Sequence, residues 1–134
     1  MTRDELLAIT RWWISLWCVP VDWALFDRLH ADDFVDYSAA GREPHKKAYA
    51  ESLRAFTDAF PDLHTMVEDI VVDEANQRVA VRWSAEGTNL QRFMDIGPTN
   101  KSTHITGIEI IEIRQGLIIK RWGEWDISDH TTGD

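Results

Sequence analysis

Cysteine is almost absent from this 134-residue chain: Cys18 stands alone, among apolar residues after Trp17. One thiol excludes a disulfide framework and any cysteine-built metal cluster, and these surroundings suit a buried structural thiol. Positive charge is also scarce. Lys and Arg total 14 against 23 Asp and Glu, a formal net charge of −9. That is the wrong sign for tracking phosphates, so neither nucleic acid nor an anionic membrane surface is an expected partner. Long apolar runs are missing as well. They are broken by Arg11, Asp22 and Asp27, and the chain opens with Thr2, Arg3, Asp4 and Glu5. Neither a transmembrane helix nor a signal peptide is expected, which points to the cytoplasm.

Several motifs are lacking too. Without a Gly-x-Gly-x-x-Gly run, a phosphate loop or a nucleophile elbow, nucleotide chemistry and a serine-hydrolase mechanism are disfavoured. His64 and Glu68 share a strand face but have no metal-ligand logic. Asp32, Asp33 and Asp36 lack the glycine and closing glutamate of a calcium loop. No metal site is expected.

Tryptophan, by contrast, is abundant, at seven residues. Most serve as large core filler, but tryptophan also suits a pocket for flat organic molecules. A chain of this length reads as one domain, residues 1–134, able to bury about two thirds of its surface.

Thr2 and Glu5 have capping-box spacing, and Leu6, Ile9, Trp13, Leu16 and Trp17 recur at helical steps. This predicts a first helix ending before Pro20. A short helix follows from about Asp22 to Leu29, and His30–Tyr37 reads as a turn and a short extended piece. Pro44 opens a third helix with Tyr49, Leu53, Phe56 and Phe60 on one face, closed by Pro61. Beyond Pro61 the period changes to two, giving strands over Leu63–Asp73, Arg78–Thr88, Ser102–Arg114 and Leu117–Asp126. Helices first and antiparallel strands second predict an α+β domain: three N-terminal helices on a curved, mostly antiparallel sheet, with Trp13, Phe26, Leu53, Phe56 and Phe60 in the core. Such a half-open cone leaves a cavity between helices and sheet. Strands such as Arg78–Thr88 carry apolar side chains on both faces, so a homodimer through the outer sheet face is expected.

Several blocks carry a resemblance. They are Ala31-Asp32-Asp33-Phe34-Val35-Asp36, the Gly41-Arg42-Glu43 turn, Ala59-Phe60-Pro61-Asp62-Leu63, Val67-Glu68-Asp69-Ile70-Val71, Val81-Arg82-Trp83, Gly87-Thr88, Gly107-Ile108-Glu109-Ile110 and Trp122-Gly123-Glu124-Trp125-Asp126. In this order and spacing, from about Leu25 to Asp126, the chain resembles the SnoaL-like polyketide cyclases of the nuclear-transport-factor-2-like superfamily. It departs from them at Asp95-Ile96-Gly97-Pro98-Thr99-Asn100, where relatives often carry a Gly-Ile-Pro-Pro-Thr-Gly-like loop. The resemblance implies a cofactor-free intramolecular aldol closure on a small hydrophobic, carbonyl-bearing ring compound. It also implies an acid/base aspartate near the end of the last strand, which carries over to Asp126.

A proton α to a carbonyl is weakly acidic, so removing it needs a base within hydrogen-bond reach, tuned toward neutrality. A carboxylate beside apolar aromatics suits that task, and Asp126 follows Trp122 and Trp125. A bulged glycine at Gly116 would place Asp126 opposite His104 and Glu124 opposite Thr106, with His104, Thr106, Ile108, Trp122, Glu124 and Asp126 on one face. A tight two-residue turn would pair Asp126 with Ile105 instead. On the first register Asp126 transfers the proton and His104 holds or tunes it. Trp122, Glu124, Tyr37, Arg82 and Trp83 are candidate substrate contacts, and Asp36 reaches the cavity in another register. Each has a structural alternative: a loop-capping carboxylate for Asp126, a surface histidine for His104, a surface ion pair for Glu124, a salt bridge to Glu68 or Glu109 for Arg82, and packing or capping for Tyr37 and Asp36. The competing functions are a non-catalytic ligand-binding or dimeric scaffold protein, and an epoxide hydrolase, which requires an Asp-Arg-Asp set around one water that only Arg82 with Asp126 and a third carboxylate could supply.

Overall fold

The computed structural model describes residues 1–38, 43–93 and 97–129. The Gly41-Arg42 part of the expected turn and the Asp95-Ile96 part of the loop lie outside the described residues. Helix α1 (Arg3–Ser15) starts at the expected capping box: the Glu5 N–H donates to Thr2 Oγ1 at 3.2 Å and the Thr2 N–H to Glu5 Oε1 at 2.9 Å. It ends earlier than the apolar spacing suggested. The N–H groups of Leu16 and Trp17 turn back to the carbonyls of Trp13 and Ile14 in a tightened last turn, and both side chains still enter the core. Helix α2 (Trp23–Leu29) is capped by Asp22, whose carboxylate accepts from the Leu25 N–H at 3.0 Å. It runs directly into strand β1 (His30–Asp36), and helix α3 (Lys46–Ala59) follows with His45 as its cap.

Strands β2 (His64–Asp73), β3 (Arg78–Thr88), β4 (Ser102–Arg114) and β5 (Leu117–Asp129) complete an unclosed five-stranded sheet in the order β1-β5-β4-β3-β2. All neighbours are antiparallel except β1, which runs parallel to β5. The expected α+β cone is therefore present, its helices preceding the four strands of the meander. The core lies between the helices and the sheet's inner face: Leu6, Trp13, Phe26, Leu53 and Phe60 meet Val79, Val81, Trp83, Ala85, Ile105 and Ile111, all buried, with Phe56 packed at the margin.

The β4–β5 hairpin has the tight two-residue turn of the second expectation, but the pairing of Asp126 differs from both. Gln115 and Gly116, at φ 52° and 81°, make a tight two-residue turn of the left-handed kind that matches strand twist. Arg114 therefore faces Leu117, and Ile113 faces Ile118. A bulge then shifts the ladder, so that Glu112 faces Lys120. The extra residue sits in β5 beyond the turn, not at the glycine, because the turn alone satisfies the hairpin while the strand absorbs the offset. As a result Asp126 pairs with Thr106, Glu124 with Ile108 and His104 with Ser128.

Candidate active site

Alternation decides which side chains enter the cone. On β4 the odd positions Thr103, Ile105, Glu109, Ile111 and Ile113 are buried, whereas Thr106, Ile108 and Ile110 are exposed. The expected grouping of His104, Thr106, Ile108, Trp122, Glu124 and Asp126 on one face does occur, but it is the outer face. Asp126 and Glu124 are exposed there, and His104 is half-buried with Nδ1 3.6 Å from Glu86 Oε1. Asp126 Oδ1 accepts from the Ile127 N–H at 3.1 Å. These residues line an open groove together with Met66, Glu68, Arg82 and Ser84. Arg82 is exposed and forms neither expected bridge: Glu68 accepts from the Ser84 hydroxyl at 2.6 Å, and Glu109 pairs with Arg121. Trp122 also lies outside, stacked on Tyr37 at 5.1 Å with the Arg78 guanidinium 4.9 Å from its ring. Of the seven residues named first as site candidates, Trp83 alone is buried against the core.

What the fold gathers inside is a different set. Arg121 on β5 extends Nε to Glu109 Oε1 on β4 and Nη1 to Asp36 Oδ1 on β1, each at 2.7 Å. Exposure is 1% for Asp36 and Glu109 and 6% for Arg121. The guanidinium also lies 5.1 Å from the centre of the Tyr49 ring on α3. Trp83 Nε1 donates a long hydrogen bond to Glu109 Oε2 at 3.4 Å. Two glycines make room for this arrangement. A Cβ on Gly123 would fall 2.6 Å from Glu109 Oε2 and 2.7 Å from Arg121 Nη2, and one on Gly107 would fall 2.5 Å from the Trp83 ring. Asp36 is fixed by the Ser38 N–H, 3.1 Å from Oδ1, and Ser38 Oγ in turn accepts from the Gly123 N–H at 2.7 Å.

One cation thus faces two carboxylates away from water. Burial pushes the Glu109 carboxyl up from 4.5 to about 7, Asp36 adding to the shift and Arg121 with Trp83 opposing it. Burial disfavours the charged form of Arg121 as well, but Tyr49, Glu109 and Asp36 more than offset this and hold it cationic. Burial raises Tyr49 to about 12, which leaves it protonated. His30, 2% exposed among Phe26, Phe34 and Tyr49, is lowered to about 4 by burial and is neutral. Its Nδ1 lies 2.8 Å from the Phe26 carbonyl and so carries the proton. That leaves Nε2 as a buried acceptor with no hydrogen-bond partner among the described residues.

An aromatic group adjoins this cluster. Trp125 faces Gly107 across the ladder, two rungs from the Glu109–Gly123 pair. Its ring lies 5.6 Å from Phe93 and 6.1 Å from Phe56, and it is only partly buried. A carboxyl poised near neutrality beside apolar rings can both remove and return a proton at ordinary pH. Sequence reading passed over Glu109, Arg121, Tyr49 and His30 as site residues, and gave Asp36 only an alternative register. Among the described residues no group of His, Cys, Asp and Glu is arranged to hold a metal, and no helix is long and apolar enough to cross a membrane.

No curated protein matches the chain. Several solved structures do. AclR from Streptomyces galilaeus, a candidate hydroxylase, is 23% identical with a TM-score of 0.81 over 93% of this chain and 77% of that one. TsrD from Streptomyces laurentii is 17% identical with a TM-score of 0.82 over 94% and 91%. IdmH from Streptomyces antibioticus, a candidate polyketide cyclase, is 27% identical with a TM-score of 0.66 over 78% and 81%. The sequence pattern of the SnoaL-like polyketide cyclases matches residues 8–131, and the chain belongs to that family.

Proposed function

We propose that the chain is a cofactor-free acid–base enzyme of the cyclase type, closing a ring by intramolecular aldol addition within a hydrophobic, carbonyl-bearing ring compound. The observation that carries this reading is Glu109, a buried carboxyl held between the Arg121 guanidinium at 2.7 Å and the Trp83 ring nitrogen at 3.4 Å, with burial pushing it up to about 7. As the carboxylate it takes the proton α to a carbonyl. The resulting carbon nucleophile attacks a second carbonyl of the same molecule, and Glu109 returns the proton to the new alkoxide. No atom is gained or lost. Because Glu109 is 1% exposed, substrate reaches it only by displacing side chains packed around it, and the same burial excludes water once substrate is bound. Asp126 with His104, in the outer groove, is the rival position for the same chemistry.

A second reading, epoxide hydrolysis, is favoured by one feature. Asp36, Arg121 and Glu109 form a buried set of two carboxylates about one arginine, close to the Asp-Arg-Asp set that such a site needs. Product mass separates the two: ring closure leaves it unchanged, whereas epoxide opening adds one water. A panel of polyketone and epoxide substrates assayed by mass spectrometry with chromatographic separation tests this. Conversion to an isomer of unchanged mass by the purified chain alone, lost in Glu109→Gln, is the expected result. A product heavier by one water points to the hydrolase, and turnover of neither class by any preparation points to a binding protein.

A further inference from the structure

We infer that His30 Nε2 is a binding point for a hydroxyl group of a flat ring compound inside the cone. The inference rests on the reading of Glu109 as proton carrier only for the entry of such a compound; its own observations are separate. Half of the His30 ring has a structural task, since Nδ1 carries a proton to the Phe26 carbonyl at 2.8 Å and closes the last turn of α2. The backbone is pinned too, the His30 carbonyl accepting from Lys46 Nζ at 3.0 Å. The other ring nitrogen has no such task. Nε2 is a buried acceptor without a hydrogen-bond partner among the described residues, on a side chain of a residue 2% exposed. Leaving a buried acceptor unpaired costs stability, whereas phenylalanine would fill the same space without that cost.

The surroundings define what fits. The rings of Phe26, Phe34 and Tyr49 stand 4.3, 5.1 and 5.4 Å from that of His30, walls suited to a flat apolar body. Tyr49 also borders the buried cluster, with the Arg121 guanidinium 5.1 Å from its ring, so His30 stands one side chain away from the residues that hold Glu109. The group at Nε2 must be a donor, because the unprotonated nitrogen of a neutral imidazole only accepts. It must also be uncharged: Lys46 and Arg121 both act against positive charge at His30, countering the opposite pull of Asp27. A hydroxyl meets both conditions and an ammonium does not. Water carries the same O–H chemistry, and the test separates the two sources.

The probes are 1-naphthol and 1-methoxynaphthalene, which share a flat body and differ in the O–H. Calorimetry on the full chain at neutral pH should find 1-naphthol bound about tenfold more tightly. His30→Phe should lose that preference and keep its affinity for the ether. In chain labelled with 15N-histidine, 1-naphthol should move the His30 Nε2 resonance upfield, as donation to an imidazole lone pair does, and the ether should not. Equal affinities, binding of neither probe, an Nε2 resonance unmoved at saturating 1-naphthol, or a preference that survives in His30→Phe overturns the inference. An Nε2 resonance already upfield in the ligand-free chain and unmoved by 1-naphthol assigns the point to water and overturns it as well. The wild-type measurements decide the matter even if His30→Phe does not fold. Full turnover in Glu109→Gln would remove the proposed function and leave the hydroxyl point standing, and equal affinities for the two probes would do the reverse.

Discussion

Arg121 and Glu109 lie diagonally across the β4–β5 ladder with Nε 2.7 Å from Oε1, over Gly123, the residue that faces Glu109. An ion pair laid this flat on a sheet tolerates no side chain beneath it. The same hairpin that buries this pair turns Asp126 and Glu124 outward. The bulge in β5 therefore shapes both faces at once.

Replacing Gly123 with Ala should cost about 1–3 kcal/mol of stability, the usual range for forcing extra volume into a packed site. The new methyl meets Glu109 Oε2 at 2.6 Å and Arg121 Nη2 at 2.7 Å. Gly107→Ala should cost at least as much, because the Trp83 ring, 2.5 Å away, is fenced in by Trp17 at 5.1 Å. Urea midpoints at fixed pH read both. A neutral result for either would mean that the inner face is looser than described.

Two buried groups give stability opposite pH slopes. Glu109 is raised from 4.5 to about 7. Between those values the folded state holds a proton that the unfolded state has lost, so stability falls as pH rises, by on the order of 3 kcal/mol in full. His30 is lowered from 6.5 to about 4. Between those values the unfolded state holds the extra proton, so stability rises with pH by a similar amount. From about pH 4.5 to 6.5 the two largely cancel. Relative to wild type, Glu109→Gln should then gain stability as pH rises through that window, and His30→Phe should lose it. Urea titrations across the window check the signs. Parallel curves for all three proteins would contradict the assignment.

The outer face carries Met66 and Val71 on β2 and Ile108 and Ile110 on β4 exposed, with β3 between the two strands and acidic residues among them. A second copy of the chain packed here would cover them, as the sequence suggested, and would also close over the Asp126 groove. Light scattering should give twice the mass of one chain, falling to one chain in Ile108→Asp. A single-chain mass at all micromolar concentrations would count against the dimer.

Much of the fold was legible in sequence because each signal was local. The Thr2–Glu5 box, the proline boundaries and the change of period at Pro61 placed three helices and four strands within a few residues. The parallel pairing of β1 with β5 was not legible, since it depends on contacts between residues such as Asp36 and Arg121, far apart in the chain. The buried cluster was missed for a different reason. The shared face of His104, Glu124 and Asp126 was read correctly, but nothing in β5 alone says whether that face points inward. β4 does hold a clue. Its even positions include Ser102, His104, Thr106, Glu112 and Arg114, too polar a row for a core, while its odd positions include Thr103, Ile105, Ile111 and Ile113. Glu109 is the one charge in the apolar row, and such an exception is where function or a buried pair is expected.

The most direct measurement of the central claim is the turnover of one responsive carbonyl substrate by wild type, Glu109→Gln and Asp126→Asn, compared side by side with binding followed by tryptophan quenching. Glu109→Gln keeps the shape and removes the base, so kcat should fall by about 10²–10⁴-fold with binding largely retained. Asp126→Asn should stay near wild type. Full activity in Glu109→Gln together with a collapse in Asp126→Asn would contradict the account and move the chemistry to the outer groove.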